Sequence, residues 1–144
     1  MPDTVRLVDY YYISTSDKPG EGARCLTALR DARINLSAFH AFPVARKAQL
    51  DFVPVDSPGF KAFAKNAKWK AVGPKKAFLI EGEDRVGALV DYFSKLAKAK
   101  INVTASDAVT AGVGRYGAIV WVKARDVKRA AKALGVSTLS TPLP

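Results

Sequence analysis

"DKPGEGARCLTALRDARINL", Asp17 to Leu36, returns later in the chain as "DRVGALVDYFSKLAKAKINV", Asp84 to Val103. The two align without a gap at an offset of 67. Asp17/Asp84, Gly20/Gly87, Leu29/Leu96, Ala32/Ala99, Ile34/Ile101 and Asn35/Asn102 are identical, and Arg33/Lys100 stay basic. An internal repeat of this kind means that one supersecondary unit is written twice.

Working outward from the first copy, Val5 to Ser16 alternates as a strand does, with Tyr10, Tyr12 and Ser14 on one side and Tyr11, Ile13 and Thr15 on the other. "SDKPG" then turns the chain, with Asp17 placed to cap a helix and Pro19 where its missing N–H costs nothing. The helix runs to about Ala32, with Ala23, Leu26 and Leu29 toward the core. "INLSAFHAFPV" and "AQLDFVPV" form a hairpin about Ala45 to Lys47. Asp56 or Ser57 caps a second helix that has Pro58 in its first turn and Phe60, Phe63, Ala64 and Ala67 on one face. A short strand from Trp69 to Val72 closes a βαββαβ unit.

The second copy repeats the order: strand Ala77 to Glu83, helix Val86 to Lys100, strands Asn102 to Ala111 and Tyr116 to Val122, and helix Asp126 to Leu134. Val86, Leu89, Val90, Phe93, Leu96 and Ala97 make its apolar helical stripe. The tail from Val136 is expected to add an edge strand. Gly73-Pro74 is the linker, which divides the chain into units 1–73 and 74–144.

A strand, D-x-P-G, an amphipathic helix and then I-N at the next strand resemble the ACT domain, an amino-acid-sensing module attached to many enzymes of amino-acid metabolism. The first copy matches at Asp17, Pro19, Gly20, Ile34 and Asn35; the second matches at Asp84, Gly87, Ile101 and Asn102, with Val86 in place of the proline. The resemblance implies an α+β fold of two ferredoxin-like, ACT-like units in tandem, with antiparallel sheets related by a pseudo-two-fold axis. It also implies a regulatory protein that binds an amino acid or related small carboxylate between such units, and homodimers built through sheet edges or helices.

The residues themselves suggest where the ligand would sit. A strand-to-helix turn exposes backbone N–H groups that suit a carboxylate. Gly20 and Gly87 would allow close approach, and Asn35 and Asn102 each carry a donor and an acceptor. The candidate ligand residues are therefore Asp17, Lys18, Pro19, Gly20 and Asn35 in the first copy and Asp84, Arg85, Gly87 and Asn102 in the second. In a βαββαβ unit the turn and the start of the second strand are expected to lie close together at one end of the sheet. A purely structural reading makes the aspartates helix caps, the glycines packing positions and the asparagines left-handed turn residues.

Nothing in the sequence forms a catalytic or metal-binding constellation, and no cofactor is implied. His40, the single histidine, reads as a packed or edge residue of a strand, and Cys25, the single cysteine, as a small buried side chain. "AGVGRYG" at Ala111 to Gly117 joins two strands and does not open a helix, so it is no phosphate loop. The lone thiol, together with the absence of a signal-like start or a membrane-length apolar run, points to a cytoplasmic protein.

The net charge of +10 keeps RNA in view, since RNA recognition motifs share the βαββαβ order. Residues 1–72 carry +4 and residues 73–144 carry +6, so neither half is a basic tail. The third strands lack the aromatics that base stacking requires: Leu50 and Asp51 stand there in one copy, Gly117 and Ile119 in the other. RNA binding is thus the alternative reading, alongside a structural interaction module without a small ligand. The favoured partners are a small amino acid, a second copy of the chain and an enzyme or regulator in trans, with no specific nucleic acid and no membrane.

Overall fold

The structure is a computed structural model that describes residues 3–136. Its elements are β1 (Thr4–Ser16), α1 (Glu21–Asp31), β2 (Leu36–Val44), β3 (Lys47–Pro54), α2 (Ser57–Asn66), β4 (Val72–Glu83), α3 (Val90–Lys98), β5 (Val103–Thr110), β6 (Arg115–Val122) and α4 (Val127–Leu134). A single 3-10 turn at Ala124–Asp126 leads into α4. The strand order is β2-β3-β1-β4-β6-β5. Both hairpins are antiparallel, as are the β1·β3 and β4·β6 ladders.

Two compact units divide the chain. One gathers residues 9–75 and is called here the N-terminal unit; the other joins, among the described residues, 3–8 with 76–136 and is called the C-terminal unit. Relative to a division at Gly73-Pro74, the difference is that the first residues of β1 belong with the second repeat. The strand expected at Trp69 to Val72 does not form there: residues 69–71 belong to no strand, and a single strand, β4, begins at Val72 and runs straight through the supposed linker to Glu83. Gly73 permits this: its φ is +140°, and a Cβ there would stand 2.7 Å from the Tyr10 carbonyl oxygen. A Gly-Pro pair reads as a breaker in sequence, yet here it is a place where two backbones come close. The expected edge strand beyond Val136 lies outside the described residues.

In the N-terminal unit, Tyr11 and Ile13 of β1, Leu50 and Phe52 of β3, Cys25 and Leu29 of α1 and Phe60 and Ala64 of α2 form the core. Aromatic rings fill most of it. Phe60 lies 4.7 Å from Tyr11 and 5.6 Å from Phe52 between ring centres, and Trp69 meets Phe63 edge-on at 5.0 Å. The buried face of α1 is the i, i+4 pair Cys25 and Leu29, so the expected stripe is rotated: Ala23 is exposed and Leu26 is 37% exposed. Asp56 caps α2 by accepting from the Gly59 amide at 3.1 Å, with Pro58 in the first turn as expected. His40 stands half-buried on the edge strand β2, against Phe42, and Cys25 is fully buried.

In the C-terminal unit, Phe78 and Ile80 of β4, Tyr116, Ala118, Val120 and Val122 of β6, Leu96 of α3, Ile101 and Ala130, Ala131 and Leu134 of α4 form the core, and Val5 and Leu7 of β1 pack against it. The helix expected from Val86 starts only at Val90. Gly87, at φ +72°, breaks the path, and Ala88 and Val90 donate to the carbonyls of Arg85 and Gly87 in two tight turns. Val86 is therefore fully exposed and Val90 mostly so, leaving Leu89, Tyr92, Phe93 and Leu96 as the inward stripe.

The start of β1 is held by Asp3. Its Oδ2 accepts from Tyr92 Oη at 2.5 Å, Tyr116 Oη at 3.0 Å and Arg85 Nη2 at 3.1 Å, while Oδ1 faces Arg85 Nη1 at 3.3 Å. Arg85 foremost, then the two hydroxyls, hold this carboxyl at about 2 against a smaller opposing effect of burial.

All four α-helices among the described residues end alike. A residue at positive φ follows the helix (Arg33, Lys68, Lys100 and Gly135), and the next amide reaches back to a carbonyl of the last turn: Ile34 to Leu29, Trp69 to Ala64, Ile101 to Leu96 and Val136 to Ala131, at 2.8 to 2.9 Å. This is the Schellman closure. It explains why the repeat keeps a basic residue at Arg33/Lys100, since a cation there faces the negative end of the helix dipole.

Two measurements check this account. Lys100→Gly relieves the left-handed backbone of its Cβ and should raise unfolding stability by some tenths of a kcal/mol up to about 1 kcal/mol, while Phe60→Ala should lower it by about 3–5 kcal/mol in urea titrations. In acid, the Asp3 contribution is complete above about pH 4, because the folded carboxyl is depressed, and is lost as pH falls through about 2. The melting-temperature gap between wild type and Asp3→Asn should accordingly stay level above that range and close below it.

Candidate functional site

The turn Asp17–Gly20 follows β1 and is exposed throughout. Asp17 is not the cap of α1: that position is Gly20, at φ +92°, and no side chain caps the helix there. A Cβ on Gly20 would meet nothing within 4 Å, so backbone conformation is what calls for glycine. The turn also uses its own donors, with the Lys18 amide on Ser16 O and the Glu21 amide on Lys18 O. Glu21 occupies the first turn of α1, accepting from Thr15 Oγ1 at 2.5 Å and Arg24 Nη2 at 2.8 Å, and Arg24, then Thr15, hold its carboxyl below the ordinary range. The first turn of α1 thus already carries an acidic side chain, held by side-chain donors of the same unit.

Asn35 lies at the other end of the sheet. Ser16 and Val44 both register with Lys47, whereas Leu36, the residue after Asn35, registers with Pro54. A strand followed by a helix and a strand of the same direction must travel the full length of the sheet between the turn and the next strand. The expected meeting of turn and asparagine is therefore corrected. Asn35 is also not the left-handed residue; Arg33 is, and the Asn35 carbonyl accepts the Val55 amide at 2.9 Å. The exposed Asn35 side chain borders a shallow depression of about 460 Å³ lined by Leu26, Leu29, Arg30, Arg33, Ile34 and Leu36. Arg30 pairs with the neighbouring Asp31 at 3.1 Å.

The C-terminal unit separates its candidates in the same way. Asp84 and Gly87 border a shallow depression of about 320 Å³ with Ala88, Leu89, Ala108, Val109, Thr110 and Tyr116. The register places this end of the sheet at Glu83, Arg115 and Thr110, while Asn102 precedes Val103, opposite Val122, at the far end. Arg85 is engaged with Asp3 and with the Glu83 carbonyl. The nine candidates therefore fall into two turns and two isolated asparagines.

Sequence reasoning missed Leu26, Arg30 and Arg33 as neighbours of Asn35, although the repeated basic position at Arg33/Lys100 carried a signal. For the grouping of Asp3 with Tyr92 and Tyr116 there was none, because it joins residues far apart in the sequence. Asp51 is likewise a residue of which only the charge was read: it is 5% exposed on β3, opposite Tyr12 and His40, and accepts from Gln49 Nε2 at 2.9 Å. Burial pushes its carboxyl above the ordinary range. Leu50 and Ile119, at the positions where RNA recognition would need stacking rings, are buried. Among the described residues no group of three His, Cys, Asp or Glu could hold a metal, and no helix is long and apolar enough to cross a membrane.

No family model matches the sequence, and no curated protein matches it. Solved structures match it in fold. Protein BT0572 from Bacteroides thetaiotaomicron superposes with a TM-score of 0.77 at 15% identity, over 91% of this chain and 88% of that one. The ligand-free regulatory subunit of aspartate kinase from Thermus thermophilus gives 0.63 at 15% identity, over 94% and 96%. The regulatory subunit of aspartate kinase from Thermus flavus gives 0.57 at 14% identity, over 94% and 95%. Taken with the element order, the antiparallel sheet and the repeated turn, helix and strand, these likenesses establish that the chain has the ACT-like α+β fold its sequence resembles.

Proposed function

We propose that the protein is a non-catalytic regulatory protein that binds an amino acid or related small carboxylate and passes that state to an enzyme or regulator in trans. The observation that carries this reading is the depression beside Asn35. Arg33 offers a planar guanidinium suited to a carboxylate. Asn35 offers a donor and an acceptor to the remaining polar group of the ligand, and Leu26, Ile34 and Leu36 provide an apolar wall. The fold likeness to regulatory subunits of aspartate kinase supports the regulatory part of the proposal.

The depression is shallow, and a second copy of the chain would deepen it. β2 is an edge strand of the sheet, and Leu26, Phe39 and Val44 are large apolar side chains left exposed on α1 and β2. A homodimer formed along this edge is therefore part of the proposal, with two ligand sites related by its axis.

A thermal-shift screen with the twenty amino acids tests the function, and finding no ligand among them overturns it. A ligand at about 100 times its dissociation constant should stabilise the chain by roughly 2.7 kcal/mol. Two variants test the site. Asn35→Ala should weaken binding about tenfold or more, as loss of a hydrogen bond to a charged group costs roughly 1.5–3 kcal/mol. Arg33→Gly removes the guanidinium while suiting the left-handed backbone, so it should weaken binding with stability unchanged or raised. Unaltered affinity in both variants would place the ligand elsewhere. Sedimentation should show a dimer that Val44→Lys on the β2 edge disrupts.

A further inference from the structure

Four donor contacts from three side chains converge on the Asp3 carboxylate, and none of the donors belongs to the segment that carries Asp3. Arg85 comes from the turn after β4, Tyr92 from α3 and Tyr116 from β6. Tyr116 is a core residue and Tyr92 packs against the same core, so their hydroxyls are positioned by the unit itself. The backbone clears a place for the carboxylate as well: a Cβ on Gly82 would lie 1.8 Å from Asp3 Oδ1. The Asp3 side chain is only 11% exposed.

The other repeat lacks this arrangement. By the offset of 67 and the matching hairpin registers (Thr15 opposite Ala48, Gly82 opposite Tyr116), Arg85, Tyr92, Tyr116 and Gly82 correspond to Lys18, Cys25, Ala48 and Thr15. Neither phenol and no open glycine is present there. The group is particular to the C-terminal unit.

We infer that Arg85, Tyr92 and Tyr116 form a carboxylate-binding site of the C-terminal unit and that the chain's own Asp3 is its resident ligand. A bidentate guanidinium and two phenol hydroxyls are chemistry for a carboxylate as a class, whether it arrives on a side chain or on a small free acid. Tyr116 also borders the apolar depression formed by Gly87, Ala88, Leu89 and Val109, so the group stands beside space for a short aliphatic tail. Tethering gives Asp3 a high local concentration, and the unit is thereby held in an occupied state with no external ligand. The inference does not depend on the proposed site at Asn35.

Chemical rescue tests it, with acetate as the probe. Asp3→Ala empties the site and should melt several degrees below wild type; acetate should recover much of that loss in a saturable manner, relative to chloride at matched ionic strength. Wild type should show no such acetate-specific gain. Asp3→Asn, which fills the space without the charge, serves if Asp3→Ala does not fold, and it should be destabilised yet insensitive to acetate. Recovery should vanish when Arg85→Ala is added to Asp3→Ala. Three results would overturn the inference: no acetate-specific stabilisation of Asp3→Ala, stabilisation that survives the loss of Arg85, or, where only Asp3→Asn folds, melting equal to wild type.

Discussion

The division of β1 between two cores is the constraint on which the rest of the structure depends. One period-2 set of side chains on a single 13-residue strand supplies both: Val5 and Leu7 pack in the C-terminal unit, Tyr11 and Ile13 in the N-terminal one. A slip of one residue in this strand would turn both sets away from their cores together. β4 is divided likewise, and Gly73, with no side chain to obstruct the Tyr10 carbonyl, lets it pass from one unit to the next without a break. A small βαββαβ unit has little core to spare, so completing one unit with the opening residues of the chain adds apolar burial where it matters.

Both strand-to-helix turns are satisfied from within. In the N-terminal unit Glu21 lies at the first turn of α1, held by Thr15 and Arg24; in the C-terminal unit Asp3 lies among Arg85, Tyr92 and Tyr116. Partly buried carboxylates persist because several donors offset their desolvation. The open, basic and apolar surface beside Asn35 lies at the opposite end of its sheet, where the Schellman closure of α1 presents Arg33 outward.

The charge excess has the same local character. Three of the four helix ends put Arg33, Lys68 or Lys100 at the left-handed position, where glycine is commonest, and gain a favourable interaction with the last carbonyls in exchange for a modest backbone strain. Part of the basic composition is thus explained by helix termination, with no polyanion required.

The sequence by itself determined the repeat, the helices and hairpins in their order, a cap for α2 at Asp56 or Ser57 and the burial of Cys25, Leu29 and Phe60, because these follow from local periodicity and turn chemistry; it split β4 into two strands. It also put forward the turn residues and Asn35 as candidates. Which of them meet was decided only in three dimensions. A crossover helix carries the chain from one end of a sheet to the other, so turn and asparagine share a motif without sharing a site. The start of α3 escaped because a positive φ at Gly87 does not show in an apolar stripe. The partnership of Asp3 with Tyr92 and Tyr116 joins residues 89 and 113 positions apart, and no local pattern encodes a contact that depends on which strand stands beside β4.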